Sequence, residues 1–103
     1  MNIAKMLKEA QRMQERMAET QASLASRKIE VTTGGGKVRV TATGAGDVTS
    51  VKIDPQVVDP NDVEMLEDLV LSAVRQAIED AKKIAGDEMG KLTGGMKIPG
   101  LSM

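Results

Sequence analysis

The stretch NIAKMLKEAQRMQERMAETQASL, residues 2–24, carries two patterns at once. Ile3, Ala10, Met17 and Leu24 stand seven apart, and Met6, Met13 and Thr20 form a second seven-residue series between them. Steps that alternate three and four make the narrow apolar seam of a helix that packs against another helix. Lys5, Lys8, Arg12 and Arg16 follow the same period on another line. At 100° per residue they fall within about 80° of one another and more than 90° around from the seam. One face wants a helix partner and the other offers four cations.

Asn2 is placed to cap this helix, which should end near Ser26. At ~1.5 Å per residue it spans roughly 35 Å, whereas strands of about six residues reach only ~20 Å. Part of the helix must therefore project beyond any sheet it packs on.

Downstream the period changes from 3.5 to 2. Apolar and polar residues alternate in Ile29–Thr33, in Lys37–Ala42 and in Val51–Ile53, which predicts three strands with one buried face each. Gly34-Gly35-Gly36 and Gly44-Ala45-Gly46-Asp47 are short links suited to hairpins, so the strands form an antiparallel meander. A three-stranded sheet has two open edges, which proteins blunt with charge or pair with another subunit. Lys37, Arg39 and Lys52 supply some charge, and dimerisation through an edge or through the helix seams would cover the rest.

Asp54-Pro55 ends the third strand, because the residue before proline avoids helical geometry. Asp59-Pro60 reads as an N-cap followed by proline at the first helical position, with Asp62 and Glu64 facing the positive end of the dipole. The apolar band from Leu66 through Ala73, Ala77 and Ala81 to Ala85 is wide, so the second helix lies across the sheet as the core helix. Gly86 can close it, but one glycine costs only ~1 kcal/mol, and continuation to about Leu92 is expected. The fold class is thus α+β: long N-terminal helix, three-stranded antiparallel meander, long C-terminal helix. Residues 1–92 form a single domain, followed by a flexible Gly/Met-rich tail over 93–103.

Composition narrows the chemistry. The 103 residues include no His, no Cys and no Phe, Tyr or Trp, but eight Met. Without imidazole or thiol, the usual proton shuttle, the thiolate nucleophile and nearly all zinc sites are absent. An enzyme is not expected, and no cofactor or small-molecule substrate is implied. Without aromatic rings the chain cannot stack unpaired bases, as most single-strand binders do, so a nucleic-acid partner would be a duplex. No apolar run is long enough for a signal peptide or a membrane span, which points to the cytoplasm and away from membranes.

Net charge is −1, yet it is segregated: residues 1–28 carry six Lys/Arg against three Glu, and residues 54–80 carry eight Asp/Glu against Arg75 alone. Such local fields steer partners more than the net value does. Glu9 and Glu19 lie close to the line of the basic row and weaken its field.

Three further features have plainer readings. Gly34-Gly35-Gly36-Lys37 lacks the spacing of a phosphate loop and lies between strands, and Gly44-Ala45-Gly46 lacks the third glycine of a dinucleotide fingerprint. Asp54, Asp59, Asp62 and Glu64 do not follow the order of a calcium loop, and capping accounts for Asp59 and Asp62, so no metal site is assigned.

The order of pieces, together with VTSVKIDP at 48–55, EMLEDL at 64–69 and the tail containing Thr93-Gly94-Gly95 and Ile98-Pro99-Gly100-Leu101, resembles the YbaB/EbfC family of bacterial nucleoid-associated proteins. The resemblance spans nearly the whole chain. It implies a tweezer-like homodimer that binds double-stranded DNA with projecting helices as its arms. Carried over, the DNA-contacting residues are Lys5, Lys8, Arg12 and Arg16, with Lys82, Lys83 and Lys91 near the end of the second helix. Ile3, Met6, Met13, Met17 and Leu24 form the dimer or helix seam. The identifying motifs lie in the core strand and core helix, so they speak for the fold more than for the binding residues.

The leading expectation is a nucleoid-associated protein that binds duplex DNA mainly through phosphates, with low sequence specificity and a role in gene regulation or nucleoid organisation. The alternative is a protein-interaction module in which the seam and the acidic start of the second helix dock a replication, recombination or transcription factor.

Overall fold

The computed structural model describes residues 2–93. Helix α1 (Ile3–Ser26) leads into strands β1 (Lys28–Thr33), β2 (Val38–Thr43) and β3 (Val48–Ile53), then a 3-10 turn (Pro55–Val57) and helix α2 (Val63–Thr93). The expected tail, apart from Thr93, lies outside the described residues.

Asn2 caps α1 as expected: the Lys5 amide donates to its Oδ1 at 3.1 Å. At the other end Arg27 turns extended (φ −79°, ψ 135°) while its amide still bonds Leu24 O. One residue therefore joins α1 to β1.

The sheet is an antiparallel meander in the order β1-β2-β3. Its first hairpin closes at Thr33↔Val38, around Gly34, Gly35 and Gly36 with φ of +61°, +67° and +90°. Three successive left-handed residues are a conformation only glycine adopts without strain. In the second hairpin Thr41 pairs with Ser50 but Ala42 with Val48, a bulge at Thr49. The bulge puts Val48 and Val51 on one face although they are three apart, which is why β3 begins three residues earlier than alternation indicates.

Val38, Val40 and Ala42 of β2 pack under Ala73 and Ala77 of α2, with Val31, Leu66, Leu69, Val70 and Val74 around them. The largest fully buried side chains are valines. Alanines at i, i+4 and i+8 (Ala73, Ala77, Ala81) leave room for the helix to approach the sheet closely, which replaces the volume that aromatic rings would fill.

Two expectations are corrected. Asp59 does not cap α2: its carboxylate accepts from the Asn61 amide at 2.9 Å, and its carbonyl from Asp62 at 3.0 Å, making Asp59–Asp62 a turn. The cap is Asp62, whose Oδ1 accepts from the Met65 amide at 3.2 Å. Arg39 does not blunt an edge, because it stands on the central strand and is held by Glu30 at 3.3 Å. By contrast, α2 runs on to Thr93 through Gly86, as expected, and through Gly90 as well, each glycine costing only about 1 kcal/mol.

The result is elongated, with extents of 71 × 29 × 16 Å and a radius of gyration of 19.8 Å, against roughly 13 Å for a compact chain of this size. Helix α1 causes this: apart from Leu24 at its root none of its residues is buried, and only Met13 and Thr20 are half-buried.

Candidate nucleic-acid interface

The root of α1 is clamped. Leu24 is buried, the Gly44 amide donates to Arg27 O at 3.0 Å, and a Cβ at Gly44 would lie 2.8 Å from Leu24 O. Only glycine allows this approach of loop to helix. A second tie crosses from Arg27 Nη1 to Glu88 Oε1 at 3.4 Å, and Lys91 Nζ meets the same oxygen at 3.3 Å. The Glu88 carboxyl is held below its ordinary range, first by the hydrogen bond from Lys91 and then by Arg27. This ion triad links residues 61 apart in sequence, so no local spacing shows it. Arg27, counted by sequence among the cations of the first 28 residues, is thereby taken.

The basic row keeps its charges. Among the described residues, the cationic groups of Lys5, Lys8, Arg12 and Arg16 form no ion pair, and Glu9 and Glu19 hold none of them. The same is true of Lys82 and Lys83, whereas Lys91 is shared with Glu88. Arg12 and Arg16 line one groove with Lys91 and Leu92, so the end of α2 comes alongside the middle of α1; Glu9 lies in that groove too. Lys82 is elsewhere, beside the β2–β3 turn, and nine residues of helix place it about 13 Å from Lys91. Lys5 and Lys8 lie toward the free tip. The seven predicted residues thus form a groove cluster, a tip pair and a separate basal pair.

Of the predicted seam, Leu24 is buried and Met13 half-buried, while Ile3, Met6 and Met17 stay 65%, 58% and 42% exposed. The seam meets the protomer's own α2 at its lower half and, among the described residues, nothing at its tip.

The glycine links hold no open anion cradle. Lys37 after the triglycine turn is engaged by Gln56 Oε1 at 2.8 Å and Asp54 Oδ2 at 3.6 Å. Among the described residues no group of three or more carboxylates is placed to hold a metal, and no helix is long and apolar enough to cross a membrane.

The sequence is similar to a "nucleoid-associated protein" of Pelotomaculum thermopropionicum, 47% identical over 97% of this chain and 95% of the relative. A protein of the same description from Alkaliphilus metalliredigens is 48% identical over 97% of this chain and 88% of its own. Among solved structures, the uncharacterized protein HP0035 of Helicobacter pylori superposes with a TM-score of 0.83 at 17% identity, covering 91% of this chain and 99% of that one, a likeness of fold alone. The profile of the YbaB/EbfC DNA-binding family matches residues 1–96. With the α-β-β-β-α order and an unneutralised basic helix already in view, the conclusion is that this chain belongs to the YbaB/EbfC DNA-binding family.

Proposed function

We propose that the protein is a homodimer, located in the cytoplasm with the nucleoid, that grips duplex DNA through its phosphates with little sequence preference. The observation that carries the reading is the row Lys5, Lys8, Arg12 and Arg16, exposed along a projecting helix with no carboxylate among the described residues bound to it. Four free cations on one line suit a polyanionic backbone, and the chain has no aromatic side chain to stack on bases.

The dimer is supported by an uncovered apolar face. Helix α2 lies over β1 and β2, leaving the inner residues of β3 in view: Val51 is 43% and Ile53 39% exposed. Ile53, Leu66, Val70, Leu71 and Val74 line an apolar groove beside them, with Glu67 at its rim. A second copy related by a twofold axis would set this patch against itself and give the molecule two arms.

If all four row cations of both copies engage, about eight phosphates are neutralised and log K falls against log salt with a slope near −7; partial engagement gives about −3. Arg12→Glu with Arg16→Glu should abolish the shift of a duplex probe while the dimer persists in sedimentation. Undiminished binding by that variant removes the row from the mechanism. Weak, salt-insensitive retention of DNA by the wild type, together with a specific protein partner, would instead support an interaction module that docks through the seam and the acidic start of α2.

A further inference from the structure

The sheet has a second face, turned away from α2, and it carries no apolar side chain. Strand alternation puts Lys28 and Glu30 of β1, Arg39 of β2 and Lys52 of β3 on it, with Thr and Ser hydroxyls between them. Arg39 and Lys52 are direct cross-strand partners. Side chains so opposed stand within about 5 Å at Cβ, and like charges there destabilise the pair. Glu30 answers only Arg39, at 3.3 Å. Among the described residues Lys52 and Lys28 have no ion-pair partner. Blunting of an edge, the common reason for cations on a sheet, does not account for Arg39 on the central strand.

Lys28 is opposite Thr43, four residues along β2 from Arg39, which is about 13 Å at the rise of a strand. The face thus offers two cationic points, with the exposed Thr32 and the half-buried Thr43 and Ser50 supplying hydroxyls beside them and Thr41 buried at the centre. We infer that this outer face is a second contact for the DNA backbone, its cations on phosphates and its hydroxyls donating to phosphate oxygens, as such side chains do in protein–DNA interfaces. The inference rests on the reading that duplex DNA is the partner. Charge complementarity selects that occupant: the face is cationic, has no ring to stack a base, and offers no apolar side chain to a protein. It also lies on the opposite side of the sheet from the groove assigned to the second copy, so both copies would present it.

The test is a salt titration of duplex binding by three full-length proteins: wild type, Lys28→Gln/Lys52→Gln, and Arg12→Gln/Arg16→Gln. Four cations per dimer are removed in the sheet variant, so its slope should be shallower by up to about 3 to 4. Its melting temperature should be no lower than that of the wild type, since Arg39 loses a repulsive neighbour. If the arm variant becomes shallower and the sheet variant does not, the sheet contact is overturned and the arms stand. A shallower slope for the sheet variant alone supports the sheet contact and overturns the arms. If the wild type itself binds without salt dependence, both readings fail. A sheet variant that melts below the wild type overturns the opposed-charge reasoning on which this contact rests.

Discussion

Leu71→Asp tests the assembly most directly. Leu71 is 48% exposed in the protomer and lines the apolar groove with Ile53 and Val74. Burying a leucine fully stabilises by about 1.5–3 kcal/mol, so its exposed half holds about 1 kcal/mol for association. A twofold interface contains the residue twice, making about 2 kcal/mol. An aspartate there forfeits that gain and leaves an unsatisfied polar group in each copy, at about 1–3 kcal/mol apiece. The total is at least about 4 kcal/mol, or roughly a thousandfold in the dimer dissociation constant. Sedimentation equilibrium over a dilution series measures it, with circular dichroism as the control, because Leu71 lies outside the core cluster and the protomer should keep its helices. A variant that stays dimeric with a dissociation constant within tenfold of wild type would refute the assignment of this face.

Three other outcomes are expected. Gly44→Ala forces a Cβ to 2.8 Å from Leu24 O, backbone against backbone, and should cost about 1–3 kcal/mol in urea unfolding; a neutral result would mean that the root of α1 shifts freely. Asp62→Ala should cost about 1 kcal/mol through loss of the cap, measured by thermal melting, and should exceed the effect of Asp59→Ala if the helix starts at Val63. The depressed Glu88 carboxyl contributes stability that is present above its unfolded pKa and lost as pH falls through the lower folded value. The triad with Arg27 and Lys91 should therefore hold at neutral pH and open only as pH falls below the ordinary glutamate range. Carboxyl NMR would show this as a Glu88 midpoint below that of glutamate in a short unstructured peptide, and a midpoint equal to the peptide's would dismiss the tie.

Periodicity made the architecture legible. The heptad steps of α1, the alternation of β1 and β2, and the broad band of α2 each give one answer because burial on a helix or a strand repeats at its own period. Local chemistry was less readable. Alternation left Val48 out of the third strand because the bulge at Thr49 resets the phase, and Asp59 looked like a cap because its carboxylate bonds an amide two residues on, a turn that a cap imitates. Pairings across the chain were invisible: nothing near Arg27 announces Glu88, and nothing near Lys52 announces Arg39. In the candidate interface the row on α1 could be predicted from spacing alone. That Lys91 joins Arg12 and Arg16 while Lys82 does not depends on how the two helices lie together.

The single-residue joint at Arg27 makes α1 a lever with a very short fulcrum. Lys5 is 22 positions from that joint, a reach of about 33 Å. A tilt of about 5° at the joint would swing the tip by about 3 Å over an arm of that length. In the proposed dimer the width between the two arms would be governed less by the arms than by the close approach of Gly44 to Leu24 and by the Arg27–Glu88 tie, so the caliper would be calibrated at its pivot.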